Sequence, residues 1–176
     1  LIDQLLTWRA ASKEMMELSL ETHPVAEAVN GAIDRFNSMV AADERTLTVS
    51  IETGLCVQHD AKALNSVVLN LLMNAYKYTG TNKEIRIRAR DGEGEVMIEV
   101  ADNGIGLSAA EAKRIFRPFY RAPRKGKGEA GGVGLGLAIA WNLIGQHGGT
   151  LSVTSTQGEG SCFTIRLPAA ETCHEQ

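Results

Sequence analysis

The spacing of apolar residues changes period repeatedly along this chain, and no other feature restricts its fold so strongly. Val25, Val29, Ile33, Phe36 and Val40 recur every three to four residues over 25–42, as on a helix with one apolar face. From Thr46 the period falls to two, with Leu47, Val49 and Ile51 alternating with Thr48, Ser50 and Glu52 until Gly54, the pattern of a strand with one wet face. A second helical stripe, Leu64, Val67, Val68, Leu71, Leu72 and Ala75, follows Asp60. The Asp60 carboxylate can cap a helix over about 61–78, which Gly80 and Asn82 close. IRIRAR at 85–90 and EVMIEVA at 95–101 alternate around Asp91-Gly92-Glu93-Gly94, which predicts a hairpin. A short helix over about 108–116, a helix over about 133–147 and a last hairpin around Gln157-Gly158-Glu159-Gly160 complete the order. Such an order predicts an α+β fold, a two-layer sandwich with helices on one face of a mixed sheet.

Residues 1–20 carry one further stripe, Leu1, Leu5, Trp8 and Met15, which Thr22-His23-Pro24 breaks. A helix of that kind needs a partner, and because it starts in mid-pattern at Leu1 the chain reads as a piece of something longer. At 176 residues with 44% hydrophobic content, one core without staples is expected. The formal charge of −3 has the wrong sign for a dedicated nucleic-acid binder. No apolar run is long enough for a membrane span, so no membrane contact is expected. Cys56, Cys162 and Cys173 lie far apart, which suggests neither a disulfide framework nor a zinc site and fits a reducing cytosol. Cys56 and Cys162 fall in strand patterns and read as small core residues. None of His23, His59, His147 and His174 stands beside a nucleophile motif, and each reads as structural or incidental.

Three stretches could carry chemistry. Asn70, Asn74 and Lys77 stand at i, i+4 and i+7 of the 61–78 helix, so two amides and an ammonium share one face. An amide oxygen is a neutral hard ligand suited to magnesium, although any amphipathic helix also presents a solvated polar face. Asp102-Asn103-Gly104-Ile105-Gly106 puts a carboxylate at a strand end, followed by glycines that permit close backbone approach. That carboxylate can accept from an exocyclic amine, while DxGxG alone reads equally as a turn. Gly131-Gly132-Val133-Gly134-Leu135-Gly136-Leu137 sets alternate glycines across a helix start, where exposed amides bind phosphate. The spacing is neither GxGxxG nor a P-loop. Positions 113–127 hold Lys113, Arg114, Arg117, Arg121, Arg124, Lys125 and Lys127 without an acid, and the Gly- and Lys-rich part from Pro118 to Gly132 reads as a mobile loop with Phe116 and Phe119 at its docking end.

In their fixed order, NLLMNAYKYT, DNGIG, IFRPFYR and GGVGLGLAI resemble the N, first-glycine, F and second-glycine boxes of the catalytic ATP-binding domain of bacterial sensor histidine kinases. The resemblance spans about 25–168 and implies the Bergerat α/β sandwich shared with DNA gyrase, the heat-shock chaperone and mismatch-repair ATPases. It divides the chain into 1–22, the end of a dimerisation and phosphoacceptor hairpin with its linker, 23–170, the catalytic domain, and 171–176, a tail.

The resemblance also implies ATP and magnesium as cofactors and assigns roles. Asn74 holds the metal, with Asn70 as a second candidate, Lys77 reaches the phosphates and Tyr78 stacks on the purine. Asp102 accepts from the adenine amine and Gly104, Ile105 and Gly106 border the base. Phe119 and Arg121 belong to the lid, the arginine approaching the γ-phosphate, and Gly132, Gly134, Leu135, Gly136 and Leu137 form the hinge and phosphate cradle. Asn70, Lys77 and Arg121 are the catalytic set. The implied activity is that of a protein histidine kinase, transferring the γ-phosphoryl to a histidine missing from the chain. The partners implied are its own hairpin domain and a downstream response regulator, within a homodimeric parent that is cytoplasmic or anchored in the inner membrane. The gyrase-like ATPases place a glutamate where Asn70 stands, so hydrolysis is expected to be slow. An ATP-hydrolysing relative and a non-catalytic nucleotide-binding regulatory module are the alternatives.

Overall fold

The computed structural model describes residues 17–41, 45–122 and 133–170. The stripe over 1–16, most of the expected lid (123–132, including Gly132) and the tail 171–176 lie outside them. The elements run β1 (Glu21–Pro24), α1 (Ala26–Met39), β2 (Arg45–Glu52), β3 (Cys56–His59), α2 (Ala61–Tyr78), β4 (Lys83–Asp91), β5 (Glu95–Asp102), α3 (Ala109–Ala112), α4 (Gly136–Gln146), β6 (Thr150–Thr156) and β7 (Gly160–Pro168). The main sheet has the order β2-β4-β5-β7-β6. Only β2 and β4 are parallel in it, so the sheet is mixed.

Alternation on the strands and the stripes on the helices meet in one core. Ile85 and Ile87 of β4, Ile98 and Val100 of β5 and Ile165 and Leu167 of β7 are at most 1% exposed, as are Val29 and Phe36 of α1 and Leu64, Val68, Leu71 and Leu72 of α2. The sandwich is α+β, as its sequence pattern predicts. Asp60 caps α2 through a bond from the Ala63 amide at 2.9 Å. The start of β2 closes the end of α1, where the Arg45 guanidinium lies 4.7 Å over the Phe36 ring and donates to the Ala41 carbonyl.

Five features depart from the sequence reading. Glu21–Pro24 and Cys56–His59 pair antiparallel as a separate two-stranded sheet, and four residues are too few to show a period. The helix expected over 133–147 begins only at Gly136, because Gly134 has φ +77, outside the helical region. The short helix of 108–116 is one turn, Ala109–Ala112, started by a Ser108–Glu111 capping box. Cys56 is buried as expected but disulfide-bonded, a cross-link that cysteine spacing does not suggest. Cys162 is half-buried rather than in the core, because it lies on the opposite face of β7 from Phe163 and Ile165.

Two histidines are built into the frame at one end of α2. His147 is buried beyond the last turn of α4, its Nδ1 2.6 Å from the Leu143 carbonyl and its Nε2 3.0 Å from the Asp60 amide. The Leu143 carbonyl accepts from Nδ1–H and the Asp60 N–H donates to Nε2, an arrangement that selects the Nδ1–H tautomer. His59 is 2% exposed, and burial, followed by the neighbouring His147, holds its pKa below the ordinary value despite a bond to the Val57 carbonyl. The Ser19 amide also donates to Asp60 Oδ2 at 3.1 Å.

Candidate nucleotide-binding site

Helix α2 supplies one wall. Its apolar stripe is sunk in the core, and rotation about the helix leaves Asn70, Asn74, Lys77 and Tyr78 half-buried along its edge. The start of α4 comes against that edge, and a Cβ on Gly136 would lie 2.6 Å from Asn70 Oδ1. Glycine at 136 is therefore what lets the two motifs meet, although it stands 66 positions after Asn70 in the sequence. Asn70 Nδ2 is buried without a hydrogen-bond partner. An amide donor in that state costs on the order of 1 to 3 kcal/mol unless something fills its bond.

The second wall is the loop after β5. Asp102 Oδ1 accepts from the Gly104 amide at 2.8 Å. Burial raises the Asp102 pKa above the ordinary carboxylate value, against the opposing bonds from the Gly104 and Ser161 amides. A carboxylate kept partly dry is a strong acceptor for a donor that reaches it. The glycines of this loop make room for the chain itself. A Cβ on Gly104 would stand 2.5 Å from the Tyr78 carbonyl, and one on Gly106, at φ +62, only 1.9 Å from the Thr156 carbonyl.

Residues outside the motifs hold these walls together. The Ile105 amide donates to the Tyr78 carbonyl at 3.2 Å, tying the loop to the end of α2. Lys83 Nζ donates to the Thr79 and Gly80 carbonyls, both at 2.7 Å, and so caps that helix end. Asn103 accepts from the Glu84 amide at 2.9 Å and donates to the Asn82 carbonyl at 3.0 Å. Sequence reasoning assigned no role to Thr79, Lys83 or Asn103. Asn103 stood inside DNGIG, and a lysine just past a helix end was the available signal for Lys83.

The F-box and second-glycine box are also joined. Phe119, itself at φ 62, donates its amide to the Gly134 carbonyl at 2.9 Å. A Cβ on Gly134 would lie 2.9 Å from the Tyr120 carbonyl. Phe116 packs edge-on against Phe163, while Phe119 and Ile105 are 50% and 42% exposed. Lys77 Nζ lies 5.1 Å over the Tyr78 ring, so the groups assigned to phosphate and purine here contact each other. Leu135 is 1% exposed, which leaves only its main chain to offer a ligand, and Leu137 packs against the core cluster. Arg121 is exposed. Gly132 lies outside the described residues.

The family model described as histidine kinase-, DNA gyrase B- and HSP90-like ATPase matches residues 59–171, which include both glycine loops and all of α2. The chain belongs to this ATPase family. Among curated relatives, the sensor histidine kinase ZraS of Escherichia coli strain K12 is 35% identical over 162 residues, covering 88% of this chain and 34% of its own. The sensor-like histidine kinase SenX3 of Mycolicibacterium smegmatis is 32% identical over 151 residues, covering 85% and 39%. The chain thus spans about a third of the length of the relatives it matches. The mycobacterial sensor histidine kinase MprB has a similar structure, with a TM-score of 0.74, 25% identity, and 87% of this chain and 99% of that chain covered. The fold is shared by full-length ShkA, solved in complex with AMPPNP, at a TM-score of 0.83 and 23% identity over 98% of this chain and 36% of that one. The fold and the family of this ATPase catalytic domain are those implied by the order of its four boxes.

No helix among the described residues is long and apolar enough to cross a membrane. Among the same residues no group of three or more His, Cys, Asp or Glu gathers as a metal cluster, so a divalent ion here would rely on amide oxygen, phosphate and water.

Proposed function

We propose that this chain is the ATP-binding catalytic domain of a two-component sensor histidine kinase and transfers the γ-phosphoryl group to a histidine on a dimerisation and phosphoacceptor hairpin. The observation that carries this reading is the approach of α4 to α2, where glycine at 136 faces the buried and unpartnered amide of Asn70. An orphan donor beside a helix N-terminus fits a phosphate-bearing ligand and has no evident structural use.

The residues suit a magnesium nucleotide. Asn74 would hold the ion through its carbonyl oxygen with Asn70 beside it, and when bound the ion would neutralise charge on the phosphates. Lys77 and Arg121 would supply positive charge toward the phosphates, which serves charge stabilisation in transfer. Asp102 accepts from the exocyclic amine of adenine, Tyr78 and Ile105 border the base, and Gly132, Gly134 and Gly136 shape the phosphate cradle. Asn70 occupies the place where a water-activating base would stand, and a carboxamide has no useful basicity at neutral pH. An imidazole nucleophile needs no such base. The wider partners follow the same reading, with a response regulator downstream and a homodimeric parent, cytoplasmic or anchored in the inner membrane.

The test supplies the chain with magnesium ATP and the hairpin domain of the same kinase. Acid-labile, base-stable label on the hairpin, lost in Asn74→Ala, is the expected result. ATP turnover at about 1 s⁻¹ or faster without acceptor, a typical enzyme rate, overturns the kinase reading in favour of an ATP-hydrolysing relative.

A further inference from the structure

The turn between β6 and β7 lies outside the four boxes, yet it touches the Asp102 loop at several points. The Gly158 amide donates to the Ile105 carbonyl at 2.8 Å. A Cβ on Gly160 would stand 1.9 Å from the Asp102 carbonyl, and one on Gly106 equally close to that of Thr156. Asp102 and Ser161 face each other in the β5–β7 register, and the Ser161 amide bonds the Asp102 carboxylate.

Ser155 sits at the centre of these contacts. Its hydroxyl oxygen is 2.8 Å from the Leu107 amide, 2.8 Å from the Gly160 carbonyl and 2.9 Å from Ser161 Oγ. A hydroxyl has one donor and two acceptor positions, and one arrangement fills all three. Ser155 donates to the Gly160 carbonyl and accepts from the Leu107 N–H and the Ser161 O–H. Leu107 is 5% exposed, so its amide has no ready substitute in water.

We propose that Ser155 is a positioning residue for adenine recognition, which fixes the Asp102 carboxylate by pinning the far end of its loop through Leu107 and its cross-strand neighbour Ser161. The inference rests on the nucleotide site described above, with Asp102 as the acceptor for the base. Ser155 does not itself touch the carboxylate. Its loss frees the loop at Leu107 and removes a partner of Ser161, so the carboxylate samples more directions. Adenine suffers most, because its exocyclic amine needs an aimed acceptor, whereas guanine presents a carbonyl acceptor at that position and gains nothing from it. Phosphate and metal contacts are assigned to α2, Arg121 and the glycines at 132–136, whereas the Ser155 hydroxyl bonds Leu107, Gly160 and Ser161.

Calorimetry on the full chain with magnesium ADP and magnesium GDP tests this. Ser155→Ala is expected to weaken ADP about tenfold while changing GDP less than threefold, so that base preference narrows. Ser155→Thr, which keeps the hydroxyl on a β-branched strand residue, is expected to restore ADP affinity to within threefold. Equal loss for both nucleotides, or unchanged ADP affinity in Ser155→Ala, overturns the proposal. Should that variant not fold, Ser155→Cys keeps the volume with a weak donor, and an unchanged base preference there overturns it too. Asp102→Ala runs alongside. If its ADP affinity matches the unmodified chain, the reading of the site itself fails, whatever Ser155 shows.

Discussion

Asp102 is an ionisable group held where its charge is disfavoured. Burial raises its pKa against the bonds from the Gly104 and Ser161 amides, so the folded chain binds its proton more tightly than the unfolded chain does. This group therefore lowers stability as pH rises from the ordinary value of about 3.9 to the raised one, and the cost persists at neutral pH. Residues kept against stability in this way mark working sites. Asp102→Asn is expected to melt no lower than the unmodified chain at pH 7, while ADP affinity falls about tenfold or more, equivalent to roughly 1.5 to 3 kcal/mol for a charge-assisted bond. A thermal scan and a titration on the same sample check both halves. Two glycines make a second residue-level comparison. Gly106 has φ +62 and its Cβ would overlap the Thr156 carbonyl, whereas Gly158 has φ +88 with nothing near. Gly158→Ala is expected to cost about 1 to 2 kcal/mol from backbone strain alone. Gly106→Ala should cost more than that, because backbone must move as well. Urea unfolding of the two variants gives the order.

At the scale of elements, α2 is fixed at both ends by residues distant from its own motif. Lys83 and the Ile105 amide hold its C-terminal end. Its N-terminal end rests on Asp60, which receives the Ser19 and Ala63 amides and whose own N–H meets His147 at the end of α4. Acid should strike here first. The lowered pKa of His59 means that the unfolded chain takes up its proton more readily than the folded one. Its contribution is whole above about pH 6.5 and declines as pH falls from there to the folded value. Asp60 acts at lower pH. Burial would raise its pKa, but the bonds from Ala63, Ser19 and Lys62 outweigh that and lower it, so its contribution is lost as pH falls from about 3.9 through the folded value. Melting temperature is expected to fall between pH 7 and pH 5.5, and His59→Gln should flatten that decline. A decline of equal slope in His59→Gln would assign the sensitivity elsewhere.

For the whole molecule, the site is a meeting of segments that only the closed sandwich brings together, so nucleotide should stabilise the fold globally. A ligand that binds only the folded chain adds about 2.7 kcal/mol at a concentration of 100 times its Kd. Magnesium ADP is therefore expected to raise the melting temperature, and the increment due to magnesium should vanish in Asn74→Ala while part of the shift from the nucleotide itself survives. A full magnesium increment in that variant would place the ion away from Asn74. Differential scanning calorimetry with and without a chelator separates the two terms.

Period, capping and turn chemistry, which act over a few residues, were enough for the class of fold, the span of α2 with its Asp60 cap and the β4–β5 and β6–β7 hairpins, while the family came from the resemblance of the four boxes in their order. The pairing of Glu21–Pro24 with Cys56–His59 and the disulfide at Cys56 were decided by the tertiary structure. So were the partners of Gly104, Gly106 and Gly136, which read locally as openings for a ligand but admit the Tyr78 carbonyl, the Thr156 carbonyl and the Asn70 amide. Ser155 and His147 carried no legible signal, because a hydroxyl or an imidazole becomes a hub only when donors from distant segments are brought to it and water is excluded.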